Sequence, residues 1–244
     1  LRVQRVFGLI GEAVEQIGSR RGVVQLKAST CVIRWLLPRL LQWQKERPDV
    51  PVELTTTVAY TVDFRREPFD AAVIYAPIAE QAAEARHLFD EQLTPVCAPA
   101  LLEGLHTPAD LQQQVLLHPT RDERDWALWL KAADTHLTNL SQGHHFETLD
   151  LAMTVASQGS GVAIGDRALI GEDLKAGRLA TPFELRVPTG MGYYLVYPPG
   201  TVPSAGLLAL MDWLVSQARM WEGANPLPQF LNRVVSVTDG EALT

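Results

Sequence analysis

Only two cysteines, Cys31 and Cys97, occur in 244 residues. That is too few for a disulfide framework, and a reducing compartment is the simplest setting. No apolar run approaches the roughly 18 residues a membrane span needs. No basic segment followed by an apolar stretch and a cleavage site opens the chain, so no secretory leader is read there. Positive charge is in deficit: 21 Lys and Arg against 28 Asp and Glu give a net charge of -7. A free-standing nucleic-acid binder of this size usually carries the opposite sign. Fixed-period repeats and low-complexity segments are missing as well. These absences lead us to expect a cytoplasmic protein with no membrane contact. Its 47% hydrophobic and 20% charged residues are those of a globular chain. Its length suits one large domain or two modest ones. The sequence starts at Leu1 rather than Met, and we expect a segment to have preceded it.

The signatures of catalysis are also scarce. His144 and His145 are adjacent, but neighbours on a strand point to opposite faces and do not converge on one ion. No H-E-x-x-H or C-x-x-C spacing occurs. Asp122, Glu123 and Asp125 interleave with Arg121 and Arg124, which reads as a solvated helix start. Gly159-Ser160-Gly161 lacks the rest of a phosphate loop and reads as a helix C-cap followed by a turn. No G-x-S-x-G elbow is found. No catalytic residue, metal or cofactor is therefore assigned, and the chain is not read as an enzyme. One alternative stays open. Cys31 follows Ser29-Thr30 at the expected start of a helix, where the helix dipole would lower a thiol pKa and favour a redox sensor or nucleophile.

Hydrophobic patterning supplies the architecture. Apolar residues at spacings of three and four predict a helix over 1–20, ended by Gly18 and Gly22. Residues 23–28 are a β-branched strand. Trp35, Leu36, Leu40 and Trp43 mark a helix ending at Pro48; Pro38 either kinks it or sits in its first turn. Strands follow at 50–57 and 69–75, the second almost wholly apolar, as a buried parallel strand would be. Further strands are expected at 93–97, 115–118, 162–164 and 192–199, and helices at 108–111, 126–133, 149–157 and 203–221. Residues 222–244 read as a tail. This alternation is that of a parallel α/β sheet. Such sheets bind ligands at the carboxyl ends of their strands. Ser29 and Thr30 lie at one of these ends, where hydroxyls and free backbone N–H groups suit an anion, or where both hydroxyls merely cap the helix.

Several segments resemble one family. Trp35-Leu36-Leu37-Pro38-Arg39-Leu40 and Arg47-Pro48-Asp49-Val50 resemble the first helix and second strand of the effector-binding domain of LysR-type transcriptional regulators. Phe69 to Tyr75, Leu93-Thr94-Pro95-Val96-Cys97-Ala98-Pro99, the run Gln158 to Ile164, and Leu174 to Phe183 match further segments in the same order. The likeness covers residues 22 to about 221 and is nearest the branch of glycine-cleavage, D-serine and β-lactamase regulators.

The resemblance implies a type 2 periplasmic-binding-protein fold, with two α/β subdomains joined by two crossover strands. Subdomain I would hold residues 22–96 and 197–221, and subdomain II residues 97–196, as two sheet-and-helix lobes with space between them. Residues 1–21 would end a linker helix, and a winged helix-turn-helix that binds DNA would lie outside this chain. The domain would form a homodimer, and the whole regulator a tetramer. The effector, an amino acid or related carboxylate, would lie between the subdomains. Its lining would be Ser29, Thr30, Cys31, Thr56, Thr57 and Tyr75 from one side, and His118, Thr120, Thr148, Leu149 and Tyr193 from the other. Where relatives carry arginine in an A-I-R-Y pattern, this chain has Ile74. Arg34 is either a substitute cation or a solvated side chain. A solute-binding protein of the same fold is the other implied possibility.

Overall fold

The computed structural model describes residues 22–78 and 85–224. The helix expected over 1–20 and most of the tail lie outside them. Strand β1 (Val24–Ser29) is buried at nearly every position, as a strand flanked on both sides must be. A single 3-10 turn (Thr30–Val32) leads into helix α1 (Ile33–Glu46). Trp35, Leu36, Arg39, Leu40 and Trp43 form its buried face. Pro38 lies inside the helix but on its exposed face, where water can satisfy the carbonyl the proline leaves unpaired. The helix closes as the Arg47 N–H donates to the Trp43 carbonyl, and the Trp43 indole donates to the Val50 carbonyl at 3.1 Å.

Next come β2 (Val52–Thr57), β3 (Ala71–Pro77) and the long β4 (Arg86–Val96). The proline-rich stretch after β4 forms two 3-10 turns, Pro99–Gly104 and Pro108–Gln113, instead of the expected α-helix. The remaining elements are β5 (Leu116–His118), α2 (Arg124–Ala132), β6 (His144–His145), α3 (Leu149–Ser157), β7 (Val162–Asp166), α4 (Gly171–Lys175), β8 (Val187–Val196) and α5 (Ala205–Ala224). Between α3 and β7, Gly159 has φ +78° and ends the helix, and a Cβ on Gly161 would sit 2.4 Å from the Val115 carbonyl oxygen. None of the described helices is long and apolar enough to cross a membrane.

The eight strands order as β2-β1-β3-β8-β4-β7-β5-β6. Two separate sheets were expected, but the hydrogen-bond ladder runs unbroken through β8 and β4. The lobes are nevertheless distinct. β1, β2 and β3 are parallel, as are β5, β6 and β7, while β8 and β4 run antiparallel to each other and to their outer neighbours. The β4–β8 register shifts twice, between His87 and Phe89 and between Asp90 and Gln92. β3 pairs with residues 191–196 of β8, and β7 with residues 93–96 of β4. The two crossover strands thus each serve one lobe with one half and the other lobe with the other.

One apolar core runs from β1, α1 and α5 to α3, β7 and α4. A second gathers around Trp126 and Trp129 of α2, with Leu111, Leu116, Val162 and Val187. Phe89 of β4 is fully buried, its ring 5.0 Å from Trp35 and 4.9 Å from Tyr193. Phe89→Ala should leave a cavity at this joint and lower unfolding free energy by about 3–5 kcal/mol, read from the urea midpoint. A midpoint unchanged from the parent would show that the crossover packing is not limiting for stability.

Candidate functional site

The strand directions create the site. β4 climbs from the β2-β1-β3 half into the β7-β5-β6 half. β1 and β3 run with it and β5, β6 and β7 against it, so the carboxyl ends of the two parallel sets point at each other. The register fixes where they meet: Tyr75 pairs with Tyr193, Tyr193 with Phe89, and Leu93 with Asp166. All of these fall at the middle of β4. The facing ends enclose a cleft with about 690 Å³ of atom-free space, its open mouth included.

Each half lends side chains from its strand ends. Thr30 and Cys31 come from the turn after β1, Val58 and Tyr60 from the segment after β2, and Tyr75 from β3. Across the cleft stand Pro119 and Thr120 after β5, Arg124 and Asp125 at the start of α2, Glu147, Thr148 and Leu149 at the start of α3, and Ile164 to Asp166 of β7. Glu91 and Leu93 of β4 and Tyr193 of β8 form the floor. Tyr60, Tyr75 and Tyr193 line up as an aromatic row with ring centroids 5.4 and 5.1 Å apart.

The polar groups are sorted by what they already bond. Glu91 accepts from the Tyr75 and Thr189 hydroxyls through one oxygen. Asp166 is 3% exposed; its Oδ1 accepts the Gln92 and Ala168 N–H groups, at 3.3 and 3.1 Å, while Oδ2 has no partner among the described residues. Burial, and secondarily Glu91, drives the Asp166 carboxyl well above the usual carboxylate range. Burial also raises Asp125 to about 6, with Glu91 adding to the rise and Arg124 opposing it. The Tyr75 hydroxyl is pushed up by burial first and then by Glu91. Thr148 is the N-cap of α3, accepting the Leu151 N–H, and the Thr120 hydroxyl donates to Asp122. The Thr30 hydroxyl makes no hydrogen bond with another described residue.

Of the residues expected from sequence, Thr30, Cys31, Tyr75, Thr120, Thr148, Leu149 and Tyr193 lie in this cleft. Four do not. Ser29 is buried and its hydroxyl bonds the Cys31 sulfur at 3.0 Å. Thr56 and Thr57 end β2 and are not among the lining residues, which take Val58 and Tyr60 from the segment just beyond them. His118 points to the opposite face of β5, where its Nε2 meets the Leu140 carbonyl and its ring stacks on His145 at 4.2 Å. Neither Ser29 nor Thr30 caps α1, because the 3-10 turn intervenes. Arg34 is neither a cleft cation nor solvated: it pairs with Asp150 at 2.9 Å and Asp173 at 3.1 Å, tying α1 to α3 and α4. Asp125 is not a solvated helix start but part of the cleft wall. Glu91, Asp166 and Tyr60 were not anticipated; the one usable signal was that Asp166 and Asp125 follow strands β7 and β5 at their carboxyl ends. Among the described residues no cluster of three or more His, Cys, Asp or Glu side chains is arranged to hold a metal ion.

Two α/β lobes, linked by a pair of crossover strands and opposed at their strand ends around a polar cleft, define a small-molecule-binding domain of the type 2 periplasmic-binding-protein class. Residues 18–219 match the LysR substrate binding domain family, and the chain belongs to it. It is the effector-binding domain of a LysR-type regulator, which displaces the solute-binding alternative. The chain is 33% identical to the HTH-type transcriptional activator AmpR of Pseudomonas aeruginosa over 216 residues, which is 88% of this chain and 71% of that protein. It is 28% identical to the glycine cleavage system transcriptional activator of Escherichia coli K12 over 224 residues, 89% of this chain and 73% of that one. The solved effector domain of P. aeruginosa AmpR superposes with a TM-score of 0.69 at 31% identity, covering 83% of this chain and 98% of that structure. The AmpR effector-binding domain of Citrobacter freundii shares the fold with a TM-score of 0.68 at 20% identity, over 81% and 98% of the two chains.

Cys31 meets the requirement for reactivity poorly. Burial raises its thiol pKa, and the hydrogen bonds with Ser29 and Tyr193 offset this only in part. Alkylation by iodoacetamide across a pH series should therefore titrate above the roughly 8.5 of a free thiol; a lower apparent pKa would revive the redox reading. Asp125 gives a second prediction. Its carboxyl stays protonated up to about pH 6 in the folded chain, but only to about 3.9 in the unfolded one. Its contribution to stability is complete below the lower value and is lost as pH rises through the higher. The melting temperature of Asp125→Asn relative to the parent should therefore climb between about pH 4 and 6, and a flat difference would contradict its burial.

Proposed function

We propose that the cleft is the effector site, and that an effector held there by both lobes selects one of their relative orientations. The supporting observation is the opposition of the two sets of strand ends across an open, polar gap lined by Thr30, Tyr75, Thr120, Thr148 and Tyr193. The ligand is a small molecule of the amino-acid or related carboxylate class, which is bound and released without chemistry. Subdomain I comprises residues 22–96 and 197–221, and subdomain II residues 97–196. The domain works in the cytoplasm as a homodimer within a tetrameric regulator, whose winged helix-turn-helix modules contact DNA. A ligand moves such an equilibrium only by its differential affinity for the two arrangements, typically about 1–3 kcal/mol.

The test begins with a thermal-shift screen of amino acids in both configurations, since a ligand of the native state raises the melting temperature. Calorimetry on any hit then compares two variants. Thr30→Ala should weaken binding several-fold because its hydroxyl has no other described partner. Thr120→Ala should weaken it less, because that hydroxyl is already engaged by Asp122. Parent-like affinity in Thr30→Ala, Tyr75→Phe and Thr120→Ala together would reject the cleft as the site.

A further inference from the structure

Glu91 and Asp166 line the cleft without an ion-pair partner among the described residues. Arg124, the one arginine among its described lining residues, has a side chain 63% exposed and pairs with Asp125 at 3.6 Å. Asp166 is the informative member. Its two backbone bonds use only Oδ1, and an asparagine would make both equally well. Oδ2 is buried and has no hydrogen-bond partner among the described residues. A buried carboxylate oxygen without a partner is costly to keep; a proton on Asp166 relieves that cost, and a donor or cation placed there would let the carboxyl ionise. Among the described residues none donates a hydrogen bond to Oδ2. Arg167, next in sequence, lies over the Trp221 ring at 6.0 Å and acts on Asp166 through its charge, not through a hydrogen bond to Oδ2. Tyr75 donates to Glu91, and Tyr193 to the Cys31 sulfur. Glu91 also keeps one oxygen, Oε1, without a partner among the described residues. Two acids, each with an oxygen unbonded among the described residues, therefore line one cavity, and no described cation is hydrogen-bonded or ion-paired to either.

From this arrangement we infer that the effector enters with a cationic amine leading, its ammonium group held by Asp166 Oδ2 and Glu91 Oε1, while any carboxylate it carries stays outward beside Arg124. Three N–H donors of a primary ammonium match the two bare oxygens and leave one for the Thr30 hydroxyl. The sequence placed an anion at the inner helix starts. The geometry reverses that orientation and makes the free amine, rather than the carboxylate, the group that the domain must recognise. Neutral sugars and simple carboxylic acids lack the group that satisfies Asp166. The inference rests on the cleft being the effector site.

The experiment uses paired probes on the whole chain: the free amino acids of both configurations and the dipeptide Ala-Ala, each against its N-acetylated counterpart at equal concentration. Thermal shift identifies binders, and calorimetry measures them in the parent, Asp166→Asn and Glu91→Gln. Asp166→Asn keeps the Oδ1 acceptor, so a melting temperature close to the parent shows that the turn is intact; Glu91→Gln serves if it does not fold. The expected result is that at least one free amine binds, its acetylated partner does not, and either variant loses roughly tenfold or more, as removal of a charged hydrogen-bond partner does. Binding that survives acetylation, or is unchanged in both variants, overturns the proposal, as does a screen in which no free amine shifts the parent. If an acetylated probe binds and Thr30→Ala weakens it, the cleft reading stands while the ammonium inference fails. Binding indifferent to every cleft variant defeats both.

Discussion

The antiparallel pairing of β4 with β8 is the constraint on which the rest of the molecule depends. A parallel α/β unit presents its strand ends on one side only, and two such units placed side by side in one sheet would ordinarily both face the same way. Here the pairing reverses direction between them. Because β4 is the last strand of one half and the first of the other, β3 must align with β4's direction and β7 must oppose it. The carboxyl ends are then driven together, and the general preference of such edges for ligands operates twice on one volume. The two register shifts turn a flat ladder into a joint, since each extra residue bends and twists its strand. Fusing the two lobes into one ladder therefore does not abolish the cleft; it fixes where the cleft must be.

This explains which parts were legible in the sequence. Strands β1 and β3 are buried on both faces and read as apolar runs, and α1 carries its stripe of tryptophan and leucine. Cleft-lining residues at or just past a strand end, such as Thr30, Tyr75 and Thr120, were legible because the rule for strand ends needs only the strand. The failures have specific causes. The start of β4 was read about seven residues late, because Arg86, His87, Asp90 and Glu91 break the apolar run where the strand passes through the joint. Glu91 was lost with it. Thr56 and Thr57 also end a strand, but the chain enters the cleft only beyond them, at Val58 and Tyr60, and the rule for strand ends does not say how far past the strand the lining begins. His118 was misplaced by one step of the two-residue alternation: it shares a face with Leu116, which faces the core around Trp126. Asp125 was read as a solvated charge run because such a run carries no mark of the cavity it faces, and Asp166, just past the strand read at 162–164, was not singled out.

The acids in the cleft also account for the behaviour of the groups around them. A carboxylate removed from water favours its neutral form, and a second carboxylate nearby strengthens that preference. Asp166 and Asp125 both shift upward for these reasons. The same field acts on the phenols of Tyr75 and Tyr193 and on the Cys31 thiol, each held in its neutral form by burial before any neighbouring charge is considered. The sequence argument for a reactive Cys31 relied on a helix dipole. That dipole is weakened here because a 3-10 turn, rather than an α-helix, begins at Thr30. A cleft that suppresses ionisation in its own hydroxyls and thiol is suited to recognition by hydrogen bonding and charge pairing rather than to nucleophilic attack, which needs an activated group.

How far an effector can move the lobes depends on what already joins them. On one flank Arg34 bridges from α1 to Asp150 and Asp173, and Asp173 also accepts from Arg178 at 2.7 Å. Arg34 and Asp173 are both mostly buried, with side chains 18% and 10% exposed, so this contact is less screened than a surface pair. Breaking it would leave a charge poorly solvated, which makes separation of α1 from α4 costly. The shared apolar core behind the cleft acts in the same direction, since α1 and α5 pack into one cluster with α3 and α4. If an effector reorients the lobes as proposed, a movement that preserved this flank would bend at the β4–β8 register shifts and displace the side carrying Tyr60, Thr120 and Arg124. Such a hinge needs no large energy from the ligand. A coupling of about 1–3 kcal/mol, the usual scale for a sensory domain, is the amount that one or two charged hydrogen bonds made in only one of the two orientations would supply.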